Sequence, residues 1–258
     1  MSYSAQSPPG VVQPIAVRLS HHISSPRMAP YVASTHTPTQ ALKLYRWNMK
    51  LSGELQQALS LVEVVLRNAI DHELRIWNAA QPPSSRHGVA QYTDEWVKLA
   101  AAPLWSLINK PQGNGRPPKT TYGAALSRAQ QDMVVRDAAH PRHRAAVCHD
   151  DVVAHVTFGT WAKILGTDNR GYWADEMWKQ ALHAAFPGKA QSPLVVAYWV
   201  ARLHRLRNRV AHLEPLLGVD VMGYHRTAAR LLTSIDPDIG SWYAGTSELA
   251  RVLERRPA

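Results

Sequence analysis

The sequence predicts an all-α fold. Apolar residues recur at spacings of three and four over long stretches, and Pro, Gly and capping residues fall between those stretches. No sustained alternating apolar pattern or hairpin turn signal accompanies them. With 258 residues, 45% of them hydrophobic, the chain can build one substantial core. It reads as a single folding unit over residues 38–258, preceded by a flexible, disordered N-terminal arm over residues 1–37.

The arm contains Ser7-Pro8-Pro9-Gly10, Ser24-Ser25-Pro26 and Thr35-His36-Thr37-Pro38 with no sustained apolar period. Its His21-His22 pair is isolated and is read as incidental. A helical pattern then runs from Thr39 to about Asn78, with a bend expected near Ser52-Gly53. Leu55, Leu59, Val62, Leu66, Ile70, Leu74 and Trp77 form its buried stripe. Off that stripe, Glu63, Arg67, Asp71 and Arg75 make an i,i+4 series of alternating charge, the pattern of a solvated ladder.

Pro82-Pro83 ends this element, and a short helix is expected from Asp94 to Ala101. The loop from Lys110 to Lys119 carries Lys110, Arg116 and Lys119 with no acidic residue, so it either covers a polyanion or is a solvated connector. It lacks the Gly-Lys-Ser/Thr order of a phosphate-binding loop. Tyr122 to about Asp137 reads as helix, broken by His140-Pro141. The next helix is expected to start from Asp150 or Asp151 as N-cap and to reach Leu165. Phe158 and Trp161 would pack in the core, with Gly159 between them permitting a close helix contact. His149, Asp150, Asp151 and His155 fall on different faces, which argues against a shared metal ion.

Asp168 is expected to cap a helix that buries Trp173, Met177, Trp178 and Leu182 and stops at Phe186-Pro187-Gly188. Ser192 caps the following helix and Pro193 opens it. Its apolar stripe is Val195, Trp199, Leu203, Leu206, Val210 and Leu213, with His204, Asn208 and His212 on a different face. Beyond Pro215 the chain reads as two or three short helices, around Asp220 to Ile235 and Ser247 to Glu254.

Cys148 is the single cysteine, which excludes a disulfide framework and a cysteine metal cluster. No apolar run has transmembrane length and no secretory leader pattern opens the chain, so a cytoplasmic protein without membrane contact is expected. A net charge of +10 favours a polyanionic partner, because each phosphate neutralised releases counterions.

The sharpest signal is Arg207-Asn208-x3-His212 near the end of the helix opened by Pro193. Arg-Asn-x3-His is expected by chance on the order of 0.03 times in such a composition. It occurs twice, the other copy being Arg67-Asn68-Ala69-Ile70-Asp71-His72. Asn208 and His212 share a helical face, and Arg207 can reach the same phosphate from the side. These residue types suit phosphodiester cleavage. Imidazole is the natural general acid or base near neutral pH, guanidinium binds two phosphoryl oxygens where charge builds up, and the amide orients either group. RNA supplies its own nucleophile in the 2′-hydroxyl, so the chemistry needs neither a cofactor nor a metal.

The segment from Leu206 to Pro215 resembles the signature of HEPN-domain ribonucleases, in particular the Abi-like branch of bacterial abortive-infection proteins. Two other blocks point the same way: Tyr45-Arg46-Trp47-Asn48 followed by Leu61-Val62-Glu63-Val64-Val65-Leu66-Arg67-Asn68-Ala69-Ile70-Asp71, and Val156-Thr157-Phe158-Gly159-Thr160-Trp161. Together they span most of the chain from about Thr39. The resemblance implies a HEPN-like helical bundle with additional helices. It implies a homodimer in which two Arg-x4-His motifs share one cleft and cut RNA without metal, leaving a 2′,3′-cyclic phosphate and a 5′-hydroxyl. Arg207, Asn208 and His212 would be catalytic, with Glu63, Arg67, Asn68, His204, Arg205 and Arg209 supporting or binding substrate. The second acid/base would be the partner's copy of His212, or else His72 or His204.

The implied role is that of an endoribonuclease acting in phage defence or as a toxin, with RNA, a second copy of the chain and an antitoxin (protein or small RNA) as partners. Two rivals remain. One is a non-catalytic RNA-binding or scaffold module on the same fold, and the other a helical DNA-binding regulator, weakened by the absence of a helix-turn-helix signal.

Overall fold

The computed structural model describes residues 14–85, 88–110, 118–167, 171–188 and 192–257. Its centre is α3, Pro38–Ala79, whose 42 residues give a rod of about 63 Å. The Thr37 side chain accepts from the Gln40 N–H at 3.2 Å and Pro38 supplies the fixed φ of the first turn. The helix runs without interruption through Ser52-Gly53. Leu44, Leu51, Leu55, Leu59, Val62, Leu66, Ile70 and Leu74 are all buried, as the apolar period requires.

The other described helices are α1 (Ile15–Ile23), α2 (Ser25–Ala33), α4 (Leu104–Ile108), α5 (Thr121–Val135), α6 (His149–Ala154), α7 (Phe158–Ile164), α8 (Tyr172–Gln180), α9 (Pro193–Ala211), α10 (Val221–Ile235), α11 (Pro237–Thr246) and α12 (Leu249–Glu254), with a 3-10 turn at Leu182–Ala185. The described residues pair as strands only in the isolated bridges Ser84 with Val89 and Lys110 with Lys119. The protein is all-α. α3 packs against α1, α2, α9, α10, α12 and the 3-10 turn, and α7 in turn packs against α4 and α9. No described helix is long and apolar enough to cross a membrane.

Several expectations are corrected. Residues 1–13 lie outside the described residues, but residues 15–33 of the expected flexible arm are two helices on α3. Met28 and Tyr31 are buried there, the Tyr31 ring meeting the Tyr45 ring edge-on at 5.2 Å. Pro26 and Pro30 punctuate this stretch and disguise the short amphipathic pattern.

Residues 94–101 are turns rather than helix. The buried Asn78 side chain binds the carbonyls of Thr93 and Leu99 and the N–H of Ala101, taking backbone groups that a helix would have used.

The helix expected from Asp150 or Asp151 to Leu165 is split into α6 and α7. Cys148 occupies the N-cap position, and Asp151 reaches back to the Cys148 N–H at 2.9 Å. Thr157 starts α7 by accepting from the Thr160 N–H at 3.3 Å.

On α9 the buried face is Val196, Ala197, Val200, Leu203, Leu206 and Val210, so its first half is rotated from the expected stripe, and Val195 and Leu213 are exposed. Trp173 of α8, expected in the core, is also exposed, whereas Met177 and Leu182 are buried. The expected Asp168 cap lies outside the described residues.

Candidate functional site

The motif helix begins as the sequence requires: Ser192 accepts from the Leu194 N–H at 3.3 Å and Pro193 follows. It ends at the motif itself. His212 is the C-cap, and the chain leaves through a Schellman turn: the Glu214 N–H donates to the Arg209 carbonyl at 2.9 Å and the Leu213 N–H to that of Val210 at 3.0 Å. The turn needs a left-handed residue at position 213, and Leu213 adopts φ 53°. His212 is therefore carried at the tip of α9. It is exposed, and its ring makes no hydrogen bond or ion pair with a described residue.

The residues expected to support it divide into those the fold gathers and those it does not. Arg207 turns toward α3, where its Nε lies 3.9 Å from Glu63 Oε2. Burial pushes the Glu63 carboxyl above its ordinary range, and the nearby Arg207 and Arg67 guanidiniums pull it part of the way back. The Asn208 amide donates to His204 Nε2 at 3.4 Å, one turn back along α9, rather than bonding to His212. The His204 ring meets Phe158 edge-on at 5.5 Å. It also lies against Gly159, where an added Cβ would come within 3.4 Å of it. The expected close helix contact at Gly159 is thus the one between α7 and α9, and it holds His204 under Asn208.

Arg209 belongs to the helix end instead. Its Nη2 donates to the Pro215 carbonyl at 2.9 Å and its Nε lies 3.3 Å from Glu214, so Glu214 pairs with Arg209 and not with His212. Arg205 is exposed on α9 and has no partner among the described residues.

The charged series on α3 is not a solvated ladder. Each member bonds outward: Glu63 faces Arg207, and Arg67 donates to the Ala154 carbonyl and to Asn68 Oδ1. Asp71 accepts from Trp96 Nε1 at 2.7 Å and meets His149 Nε2 at 2.9 Å, and Arg75 pairs with Asp94 and Asp150. The second Arg-Asn-x3-His copy lines a cleft of about 710 Å³, with Arg67, Asn68, His72 and Arg75 on the α3 wall and Asp94 and Asp150 opposite. Arg67 acts on Glu63 and also lines this cleft, linking it to the α9 motif.

Sequence reasoning missed the carboxylates across that cleft and the buried Asp71–His149 pair. The only available signal was that Asp71 shares a helix face with two arginines, which does not tell a buried acid from a solvated one. Histidine 149 and its acidic neighbours are committed to separate jobs, His149 to Asp71, Asp150 to Arg75 and Asp151 to Arg136 and Arg142. Among the described residues no three His, Cys, Asp or Glu side chains converge as metal ligands.

The arrangement offers an exposed imidazole at a helix tip, a guanidinium loosely held by a carboxylate, and an amide anchored from below. No protein-family model, curated protein or solved structure matches this sequence.

Proposed function

We propose that the chain is a metal-independent endoribonuclease of the HEPN type that cleaves RNA by attack of its own 2′-hydroxyl. In this reading it works in the cytoplasm as an abortive-infection effector or as the toxin of a toxin-antitoxin pair. The observation that carries the reading is the tip of α9: His212 is exposed and unengaged there, with Arg207 beside the half-buried Glu63 and Asn208 fixed by His204.

Arg207 is the electrophilic partner. At 3.9 Å from Glu63 it is oriented but not locked, so it can swing two N–H donors onto a scissile phosphate. Glu63 and Arg67 form the polar wall behind it. Asn208 presents its free oxygen or remaining N–H to the ribose or phosphate while His204 holds its amide. His212 moves a proton, either from the 2′-hydroxyl or to the departing 5′-oxygen.

The single imidazole at the α9 tip leaves the other proton transfer unassigned. The second would come from a second copy related by a two-fold axis. The exposed face of α9 favours such a mate, because Leu194 (64% exposed) and Tyr198 (55% exposed) lie at helical spacing from Arg205, Asn208 and His212. An apolar half-face leading to the motif is what a self-complementary helix pair requires.

The test is cleavage of total RNA in excess EDTA. Wild-type protein should produce fragments ending in 2′,3′-cyclic phosphate, and His212→Ala should lower the rate by at least a hundredfold without changing the oligomeric state. Equal cleavage by the two proteins removes the mechanism. A non-catalytic RNA-binding module draws support from one observation, that Arg207 and Asn208 already have partners within the chain. It predicts salt-sensitive RNA affinity, no turnover, and indifference to His212→Ala.

A further inference from the structure

Away from the α9 tip, a recess of about 380 Å³ opens between the Lys110–Lys119 bridge, α5 and α7. Its charged lining is entirely cationic, with Lys110, Lys119, Arg128 and Lys163 joined by His155 and no carboxylate. Other described arginines are paired with acids: Arg75, Arg136, Arg142, Arg202 and Arg209 each lie within 4.0 Å of an Asp or Glu oxygen.

In this recess Lys110, Lys119 and Arg128 have no such carboxylate among the described residues. Lys110 and Lys119 are pinned face to face by reciprocal backbone hydrogen bonds of 3.2 and 3.1 Å. Like charges at directly paired positions repel, and neither ammonium has a carboxylate partner among the described residues. Arg128 donates to the His155 carbonyl at 3.3 Å and is otherwise exposed. Held in this way, the three groups raise the local potential and carry an unfavourable self-energy that an external anion relieves.

The recess is also tied to the motif helix. Gly159 is part of its wall, and the same residue gives the His204 ring its seat beneath Asn208.

We infer that this recess is a phosphate-binding subsite for the RNA strand, taking backbone phosphates that flank the linkage presented to Arg207 and His212. The inference rests on the ribonuclease reading for the identity of the strand. A polyanion fits better than a lone phosphate, because the cations come from the bridge, α5 and α7 rather than from one loop.

The experiment measures binding of a fluorescein-labelled oligouridylate by anisotropy over a salt series, in the uncleaving His212→Ala background. Lys110→Ala/Lys119→Ala is compared with that background, and Arg128→Ala serves as a second, independent variant. Thermal melting by circular dichroism checks that each remains folded.

Removing the two lysines should weaken binding on the order of tenfold, and the slope of log affinity against log salt should become shallower by about 1.4, the value for two phosphates on a single strand. Arg128→Ala should shift the slope by about half as much. An unchanged slope and affinity would overturn the subsite, while the cleavage reading would stand or fall separately on wild-type turnover and its loss in His212→Ala. Equal competition by inorganic phosphate or by polyglutamate at matched charge would also overturn it, as a free-anion or acidic-peptide site.

Discussion

At Leu213 the turn that presents His212 uses a residue poorly suited to it. A left-handed conformation costs a β-carbon-bearing residue about 1–2 kcal/mol, and glycine is the usual occupant of this Schellman position. Leu213 is half exposed, so its side chain recovers little through burial. Replacing it by glycine trades that strain against glycine's larger loss of backbone freedom. Leu213→Gly should therefore stabilise the protein by about 0.5–1 kcal/mol, a rise in melting temperature of about 2 °C. A lower melting temperature would show that the leucine side chain contributes packing that outweighs the strain. At this scale the sequence was informative where residue type and helical spacing decide the outcome. Asn208 and His212 do share the exposed face of α9, and Gly159 does admit a close neighbour. It was uninformative where a side chain chooses between near and distant partners. Arg209 paired with Glu214 because the turn at Leu213 brings them together, and Asp71 chose Trp96 and His149 because those tertiary neighbours were better placed than the i,i+4 residues that periodicity brings to mind.

Among the elements, α6 and α11 show what the apolar period leaves out. An acidic N-cap at Asp150 or Asp151 made the stretch to Leu165 read as one helix. The break comes instead from hydrogen bonding, with Thr157 starting a new N-terminus and Asp151 pulled back to Cys148. Asp151 is buried between Arg136, at 3.0 Å, and Arg142, at 2.8 Å, and so staples the end of α5 and the following turn to α6. Burial alone would raise its pKa, but the Cys148 N–H and the two guanidiniums outweigh that and hold the carboxyl well below the usual carboxylate range. A depressed folded-state pKa contributes stability above the unfolded value of about 3.9 and loses it as the pH falls below that value. Stability should accordingly drop on acidification from pH 5 to pH 3 more steeply in wild type than in Asp151→Asn, measured by urea unfolding at each pH. Parallel curves would show that Asp151 is not the linked group. In α11, Gly240 allows α10 to approach: an added Cβ would fall 2.1 Å from Thr233 Oγ1 and 2.8 Å from its backbone N. Gly240→Ala should cost about 1–3 kcal/mol by forcing the helices apart. Gly245→Ala, on the same helix with open space around it, should be neutral or stabilising by up to about 1 kcal/mol. Thermal melts of the pair would decide the point, and equal effects would mean that the α10–α11 contact is looser than these distances imply.

For the whole molecule, the long α3 acts as a spine that sorts function along its length. The first half is structural, with Trp47 Nε1 donating to the Val252 carbonyl at 2.8 Å and Asn48 Oδ1 accepting from the Leu216 N–H at 2.8 Å. The Trp47-Asn48 block therefore fastens the segments after α9 to the spine. The second half meets α9 where Glu63 faces Arg207, and from Arg67 to Arg75 it lines the large cleft. All-α character and the buried stripe of α3 were legible because they depend on local period. The meeting of α3 with α9 at Glu63 and Arg207, and of α7 with α9 at Gly159 and His204, was not, because it depends on which faces meet. The same logic extends to a second copy. If α9 mates through Leu194 and Tyr198, then Tyr198→Asp places a charge in an apolar helix pair and should disfavour the dimer while leaving the monomer fold intact, since Tyr198 is 55% exposed. Sedimentation should then show monomer at concentrations where wild type is dimeric, and RNA cleavage should fall in parallel although Arg207, Asn208 and His212 are untouched. Mixing Tyr198→Asp with His212→Ala protein separates the two effects, because neither chain can then supply both a competent interface and an imidazole. A monomeric Tyr198→Asp variant that cleaves at the wild-type rate would place both proton transfers within one chain, with His72 and His204 as the residues to test next.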